Sequence, residues 1–200
     1  MAVDIAAANQ RGDVPLPVKL HTIIDAPGID RMLTRMAHEI LEVHKGAEKL
    51  TLIGIQTRGV HMARRLQKRI QAIEGIEAPV GILDITLYRD DWTRISHHPV
   101  IQATDISFSL DDRDIILVDD VLFTGRTIRA AMDALIDFGR PQRIELAVLV
   151  DRGHREIPIQ ANYIGKVVPT RKTETVNVML SESDDVDQIV VEERSEADGN

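Results

Sequence analysis

The stretch Asp114-Ile115-Ile116-Leu117-Val118-Asp119-Asp120-Val121-Leu122-Phe123-Thr124-Gly125-Arg126-Thr127 decides how this chain folds. Ile115 to Val118 is an unbroken apolar run, the pattern of a strand buried on both faces in a parallel sheet. Two carboxylates follow, then three apolar residues and the turn Thr124-Gly125-Arg126-Thr127. A helical period starts there, through Ile128, Ala131, Met132, Leu135 and Ile136. The stretch therefore reads strand, loop, helix, with carboxylates at the strand's carboxyl end. The first amides of a helix have no partner within it, so they suit an anion. Carboxylates only accept hydrogen bonds, so they suit hydroxyls rather than phosphate. Thr124 and Thr127 add hydroxyl donors, and Gly125 lets backbone approach a ligand closely. A loop offering amides for phosphate and carboxylates for hydroxyls describes a sugar-phosphate site.

Outward from this stretch, strands and helices alternate. Ile29, Met32, Leu33, Met36, Ala37, Ile40 and Leu41 mark an amphipathic helix that stops at Gly46. Leu50 to Ile55 is a buried strand, Gln56 to Gly59 a turn, and Val60 to Ile73 a second helix. Val80 to Leu87 reads as a strand ending in Tyr88-Arg89-Asp90-Asp91, and a polar loop runs on to about Thr104. After the central strand and helix come Gly139-Arg140-Pro141, a strand over Ile144 to Val150, and Asp151-Arg152-Gly153-His154-Arg155. Short strands at Tyr163 to Val167 and Val176 to Leu180 build a small cap, and Ile189 to Val191 reads as an edge strand. The fold class is α/β, a doubly wound, mainly parallel sheet flanked by helices. Residues 1–20 read as a flexible extension, 21–181 as one domain, and 182–200 as an acidic tail.

In such sheets ligands lie beyond the carboxyl ends of the strands. Four strand ends carry polar clusters here: Thr57-Arg58-Gly59, Tyr88 to Asp91, Asp119-Asp120 with its loop, and Asp151-Arg152-Gly153. Together they predict a site on one edge. Arg58 is placed for a second anion, and Arg89 is placed to close over it from the long loop. No Gly-x-x-x-x-Gly-Lys-Ser/Thr and no Gly-x-Gly-x-x-Gly after a strand occurs, which disfavours nucleoside-triphosphate and dinucleotide loops. His97 and His98 read as loop surface rather than metal ligands.

Composition sets the remaining bounds. With no cysteine there is neither a disulfide framework nor a thiolate zinc site. Met1 to Gly12 lacks the apolar core of a signal peptide and no run reaches membrane-spanning length, so the chain reads as soluble and cytoplasmic. The net charge of −8 argues against a surface built throughout for nucleic acid, though it allows a local basic patch.

At this point the sequence resembles a known group. Ile115 to Thr127 is similar to the phosphoribosyl-diphosphate (PRPP) signature of type I phosphoribosyltransferases. Leu83 to Asp91, Val148 to Glu156 and Tyr163 to Lys166 resemble, more narrowly, the bifunctional pyrimidine-operon regulators with uracil phosphoribosyltransferase activity. The likeness spans about Ile29 to Leu180. It implies the type I phosphoribosyltransferase fold, with a small C-terminal hood and a flexible flap loop. It implies conversion of uracil and PRPP to UMP and diphosphate, with magnesium carried on the PRPP and no direct protein ligand. Asp119 and Asp120 would accept from ribose hydroxyls, and the loop through Val121, Leu122, Phe123, Thr124, Gly125, Arg126 and Thr127 would cradle the 5′-phosphate. Thr57 and Arg58 would hold the diphosphate, Arg89 would come from the flap, and Arg152 and Val176 would border the nucleotide.

The resemblance also implies UMP- or UTP-dependent binding of leader mRNA, hence transcription attenuation, and a homodimer or tetramer. Thr34, His38, Arg155 and Lys166 match its RNA-facing pattern. Val43 and Gln160 stand where relatives more usually carry arginine, and Val168-Pro169-Thr170-Arg171-Lys172 departs from the common form. Each lost phosphate contact weakens binding and flattens its salt dependence. The alternatives are a nucleotide-sensing RNA-binding regulator with vestigial catalysis, a plain pyrimidine salvage enzyme, and a transferase for a purine base.

Overall fold

The computed structural model describes residues 19–88 and 103–193. Its centre is a five-stranded parallel sheet in the order β3-β2-β4-β5-β6. These strands are β2 (Leu50–Ile55), β3 (Val80–Leu83), β4 (Asp114–Leu122), β5 (Arg143–Asp151) and β6 (Tyr163–Val167). Helices α1 (Ala26–His44) and α2 (Arg58–Glu74) cover one face, and α3 (Arg126–Asp137) covers the other. Alternation along the strands sorts the side chains between two cores. Leu50, Leu52, Ile116, Val118, Ala147 and Leu149 point to the α1–α2 side. Ile53, Ile55, Ile115, Leu117, Leu146 and Val148 point to the α3 side. A one-residue slip of β4 would exchange the two sets, so both cores fix its register and thereby the place of Asp119.

A second, antiparallel sheet forms the hood, with order β1-β8-β7. It comprises β1 (Lys19–Ile24), β7 (Glu174–Met179) and β8 (Gln188–Glu193), with a one-turn helix α4 (Ser181–Asp184) between the last two. Val176, Val178, Leu180 and Ile189 join the α1–α2 core, which seats the hood on that side.

Several boundaries differ from the sequence reading. The apolar run at 189–191 is not an edge but the middle strand of the hood, so part of the acidic 182–200 segment is built into the fold. Its neighbour β1 begins at Lys19, inside the stretch read as an extension; residues 1–18 and 194–200 lie outside the described residues. Helix α1 starts at Ala26 rather than Ile29, because the Asp25 side chain caps it by accepting from the Gly28 amide at 2.9 Å. The strand expected over 80–87 stops at Leu83, where its parallel neighbour β2 ends at Ile55. Beyond it, Asp84 Oδ1 accepts from the Thr86 amide at 2.8 Å and turns the chain into the short 3₁₀ turn Thr86–Tyr88.

The amino end of the sheet is closed by a polar network. His44, at the end of α1, places Nδ1 3.2 Å from Asp114 Oδ2 and Nε2 2.8 Å from Glu145 Oε2. Tyr163 donates its hydroxyl to the same Glu145 oxygen at 2.7 Å, and Arg143 pairs with both acids at 3.2 and 3.4 Å. Burial pushes the Glu145 carboxyl up, but hydrogen bonds from Tyr163 and His44 outweigh it and hold the group below its ordinary range.

Candidate active site

The site lies at the opposite, carboxyl end of the sheet. Helix α2 starts almost on top of β4, because Gly59 has no side chain: a Cβ there would collide with the Val118 carbonyl oxygen. That close approach brings Thr57 and Arg58 beside Asp119 and Asp120. The Gln56 amide donates to the Leu83 carbonyl at 3.0 Å, tying this turn to the end of β3. The result is a cleft of about 410 Å³ lined by Thr57, Arg58, Asp84, Asp119, Asp120 and Thr127, among others.

Strand pairing carries β4 further than the apolar run suggested. Asp119 pairs with Val148, Val121 with Val150 and Leu122 with Asp151, so the two acids sit within the last part of the strand. Asp119 Oδ1 accepts from the Asp120 amide at 3.0 Å, and Asp120 Oδ1 accepts from the Val121 amide at 2.8 Å. Burial, then the charge of Asp120, pushes the Asp119 carboxyl well above its usual range. Burial pushes Asp120 up as well, against the Val121 amide and the positive charge of Arg58. Two desolvated acids side by side are costly unless hydroxyl donors or cations reach them. Among the described residues no cluster of three or more His, Cys, Asp or Glu is placed to hold a metal by itself.

The loop after β4 turns at Gly125, whose φ of 92° is a conformation side-chain-bearing residues rarely adopt. Helix α3 opens immediately after it, with Thr124 Oγ1 accepting from the Arg126 amide at 3.3 Å. The loop is braced from beneath by two arginines. Arg155 donates to the carbonyls of Phe123, Gly153 and Ile159 at 2.8, 3.0 and 2.9 Å, and pairs with Asp151 at 2.5 Å. The resemblance implies an RNA-facing role for Arg155; in the structure its half-buried guanidinium donates to these loop carbonyls. Arg152 is 6% exposed and stacks over the Phe123 ring with 4.1 Å to the centroid. It donates to Thr170 Oγ1 at 3.1 Å and to the Arg171 and Glu174 carbonyls at 3.1 and 2.5 Å, and burial lowers its pKa. Arg152 thus lies under the loop and reaches the hood, outside the cleft that holds the carboxylates.

The Val176 side chain is buried in the hood core, but its strand β7 is an edge of its sheet, with one side of its backbone outside the ladder. Thr34, His38 and Lys166 are exposed on α1 and β6, which pack together. Thr34 Oγ1 donates to the Asp30 carbonyl at 2.9 Å and accepts from Arg69 at 3.3 Å. Arg89, the body of the flap, and His97 and His98 lie outside the described residues.

The structure also brings in residues the sequence reading missed. Arg58 donates to both oxygens of Asp184, at 2.9 and 3.3 Å. Arg65 pairs with Glu182 and Asp187 at 2.5 and 2.8 Å, and His61 Nε2 lies 3.0 Å from Ser183 Oγ. The available signal was the acid run Glu182 to Asp187 facing a helix that carries Arg58, Arg64, Arg65, Lys68 and Arg69.

Comparison with known proteins agrees with this architecture. The model of the phosphoribosyl transferase domain matches residues 20–180. A "Bifunctional protein PyrR" of Desulfosudis oleivorans is 59% identical over 170 residues, 84% of this chain and 94% of that one. A protein of the same name from Deinococcus radiodurans is 58% identical over 166 residues, 83% and 91% of the two chains. Among solved structures, the hypoxanthine phosphoribosyltransferase of Trypanosoma cruzi superposes with a TM-score of 0.66 at 17% identity, over 87% of this chain and 97% of that one. That likeness shows the fold. The chain belongs to the phosphoribosyltransferase family, among its bifunctional PyrR members.

Proposed function

We propose that this chain transfers the phosphoribosyl group of PRPP to uracil, giving UMP and diphosphate, and that uridine nucleotides in the same site govern its binding to pyrimidine leader mRNA. The observation that carries the enzymatic half is the desolvated pair Asp119–Asp120 in one cleft with Arg58 and Thr127.

The chemistry follows from that arrangement. A uracil nitrogen bonds to the anomeric carbon as the carbon–oxygen bond to diphosphate breaks, and the nitrogen's proton leaves to solvent or product. The sugar gains positive character while a highly charged group departs. Asp119 and Asp120 accept from the ribose hydroxyls and face the developing positive charge. The first turn of α3 and Thr127 receive the 5′-phosphate. Arg58, with Arg89 from the flap, meets the leaving diphosphate, and closure of the flap excludes water. Magnesium, carried on PRPP, supplies further positive charge to that leaving group when bound. No step demands a dedicated general base, so His154 has no assigned role. Backbone groups around Val176 select the base, and Arg152 supports them from below.

For the RNA half, the exposed residues Thr34, His38 and Lys166, with the half-buried Arg155, are the contacts on offer. The reading makes the protein a cytoplasmic homodimer or tetramer. It is tested by incubating the purified protein with PRPP, magnesium and each nucleobase. UMP from uracil is expected, and no product from uracil would overturn the enzymatic half. Titration of a pyrimidine leader RNA with and without UMP tests the other half. Tight, UMP-dependent binding with negligible turnover would favour a vestigial enzyme, and no binding at low salt would favour plain salvage.

A further inference from the structure

The hood and the diphosphate turn are joined by one ion pair at the mouth of the cleft. Asp184 closes the one-turn helix α4, and its Oδ2 accepts from the Leu180 amide at 3.0 Å, which fixes the carboxylate relative to the hood backbone. Its two oxygens receive Nε and Nη2 of Arg58. Arg58 is the first residue of α2 and otherwise faces the cleft beside Asp120. Behind this pair, Arg65 with Glu182 and Asp187, and His61 with Ser183, hold α4 and the residues after it to the next two turns of α2. Asp184 therefore has a rigid seat, while Arg58 is a long side chain with little else to hold it.

We propose that Asp184 is a positioning residue for the reaction: it holds the Arg58 guanidinium in the orientation that receives the diphosphate of PRPP. The inference rests on the function proposed above. A free arginine side chain loses rotamer freedom when it is fixed by a ligand, and a preset one loses less. A carboxylate partner also limits the guanidinium to a planar, two-point geometry, leaving its remaining N–H donors for the ligand. The opposite outcome is equally concrete. If Asp184 served mainly as a competing anion, its removal would tighten PRPP binding.

The test is Asp184→Asn, an isosteric change that keeps the acceptor for the Leu180 amide, studied in the full chain. Turnover of uracil and PRPP by the unaltered protein is measured first; its absence refutes the proposed function and not the positioning role in particular. Given turnover, the KM for PRPP is expected to rise about three- to tenfold, with kcat within twofold. Affinity for UMP, which has no diphosphate, should stay unchanged in calorimetric titration. Affinity for magnesium diphosphate should fall in parallel with the rise in KM. In an Arg58→Ala background the same substitution should add nothing, because the group it orients is gone. An unchanged or lowered KM for PRPP, an equal loss of UMP affinity, or an undiminished effect in the Arg58→Ala background would each overturn the assignment.

Discussion

Strand β4 has an acidic residue at each end, and the two ends are built in opposite ways. At its start, Asp114 shares a network with His44, Glu145, Tyr163 and Arg143, drawn from α1, β5 and β6. Three partners converge on Glu145, and its pKa falls despite burial. At its far end, Asp119 and Asp120 take hydrogen bonds chiefly from neighbouring backbone, and both pKa values rise. The amino end of the sheet holds acids, Asp114 of β4 and Glu145 of β5, that pair with His44 and Arg143, whereas the acids at the carboxyl end of β4 are met chiefly by backbone amides. Buried acids in a cleft, held mainly by backbone amides and with raised pKa values, mark a candidate site; acids paired with cationic side chains mark a structural joint.

The contrast breaks most decisively on activity. Asp120→Asn should lower turnover of uracil and PRPP by about a hundredfold or more, the scale of one lost electrostatic contact in a transition state, with circular dichroism unchanged. Full turnover in that variant would remove the acid from the chemistry.

Stability should move the other way, and at the other end. Tyr163→Phe leaves a buried Glu145 oxygen with one donor fewer, at a cost of about 1–3 kcal/mol. Urea denaturation measures this, and kcat at 25 °C should stay within twofold. A loss of turnover comparable with that of Asp120→Asn, at unchanged stability, would make the network part of the site.

The smallest effect, and the sharpest in sign, is the pH dependence. Glu145 has a depressed folded pKa, so its contribution is present above the unfolded value and lost as pH falls through the folded one. Glu145→Gln should therefore be less stable than the unaltered chain near pH 7, the gap closing toward acid. Asp119 and Asp120 have raised folded values, so between the unfolded and folded pKa the native state holds more protons and stability declines as pH rises. Asp120→Asn should consequently melt a few degrees higher than the unaltered chain at pH 8, with the gain shrinking as pH falls through the raised folded pKa and vanishing near the unfolded value of about 4. Melting curves for both variants from about pH 2 to pH 8 measure the two slopes, and slopes of equal sign would erase the distinction between the ends.

Most of the parallel sheet was legible because burial on both faces leaves continuous apolar runs such as Leu50 to Ile55 and Ile115 to Val118. The site acids were legible because they interrupt such a run just before a glycine turn. The hood was harder to read. The extension was read over residues 1–20, yet its last two residues open the strand Lys19–Ile24, which forms only through pairing with residues 189–193, far away in sequence. The acid run Glu182 to Asp187 looked like solvated tail for the same reason: the arginines that give it a place, Arg58 and Arg65, lie more than a hundred residues earlier. Arg155 shows the limit in another form. A basic residue after Asp151 is consistent with a surface contact or a brace, and only its carbonyl partners distinguish the two.

The sequence by itself determined the α/β class, the central strand-loop-helix and the acids it carries, because these depend on local periodicity and on residue chemistry within about fourteen positions. Tertiary structure alone decided which acids are satisfied and which are exposed to a ligand, which arginines brace and which reach the cleft, and that the hood's Asp184 grips Arg58. Those outcomes depend on partners distant in sequence and on desolvation, and both arise only when separate elements pack.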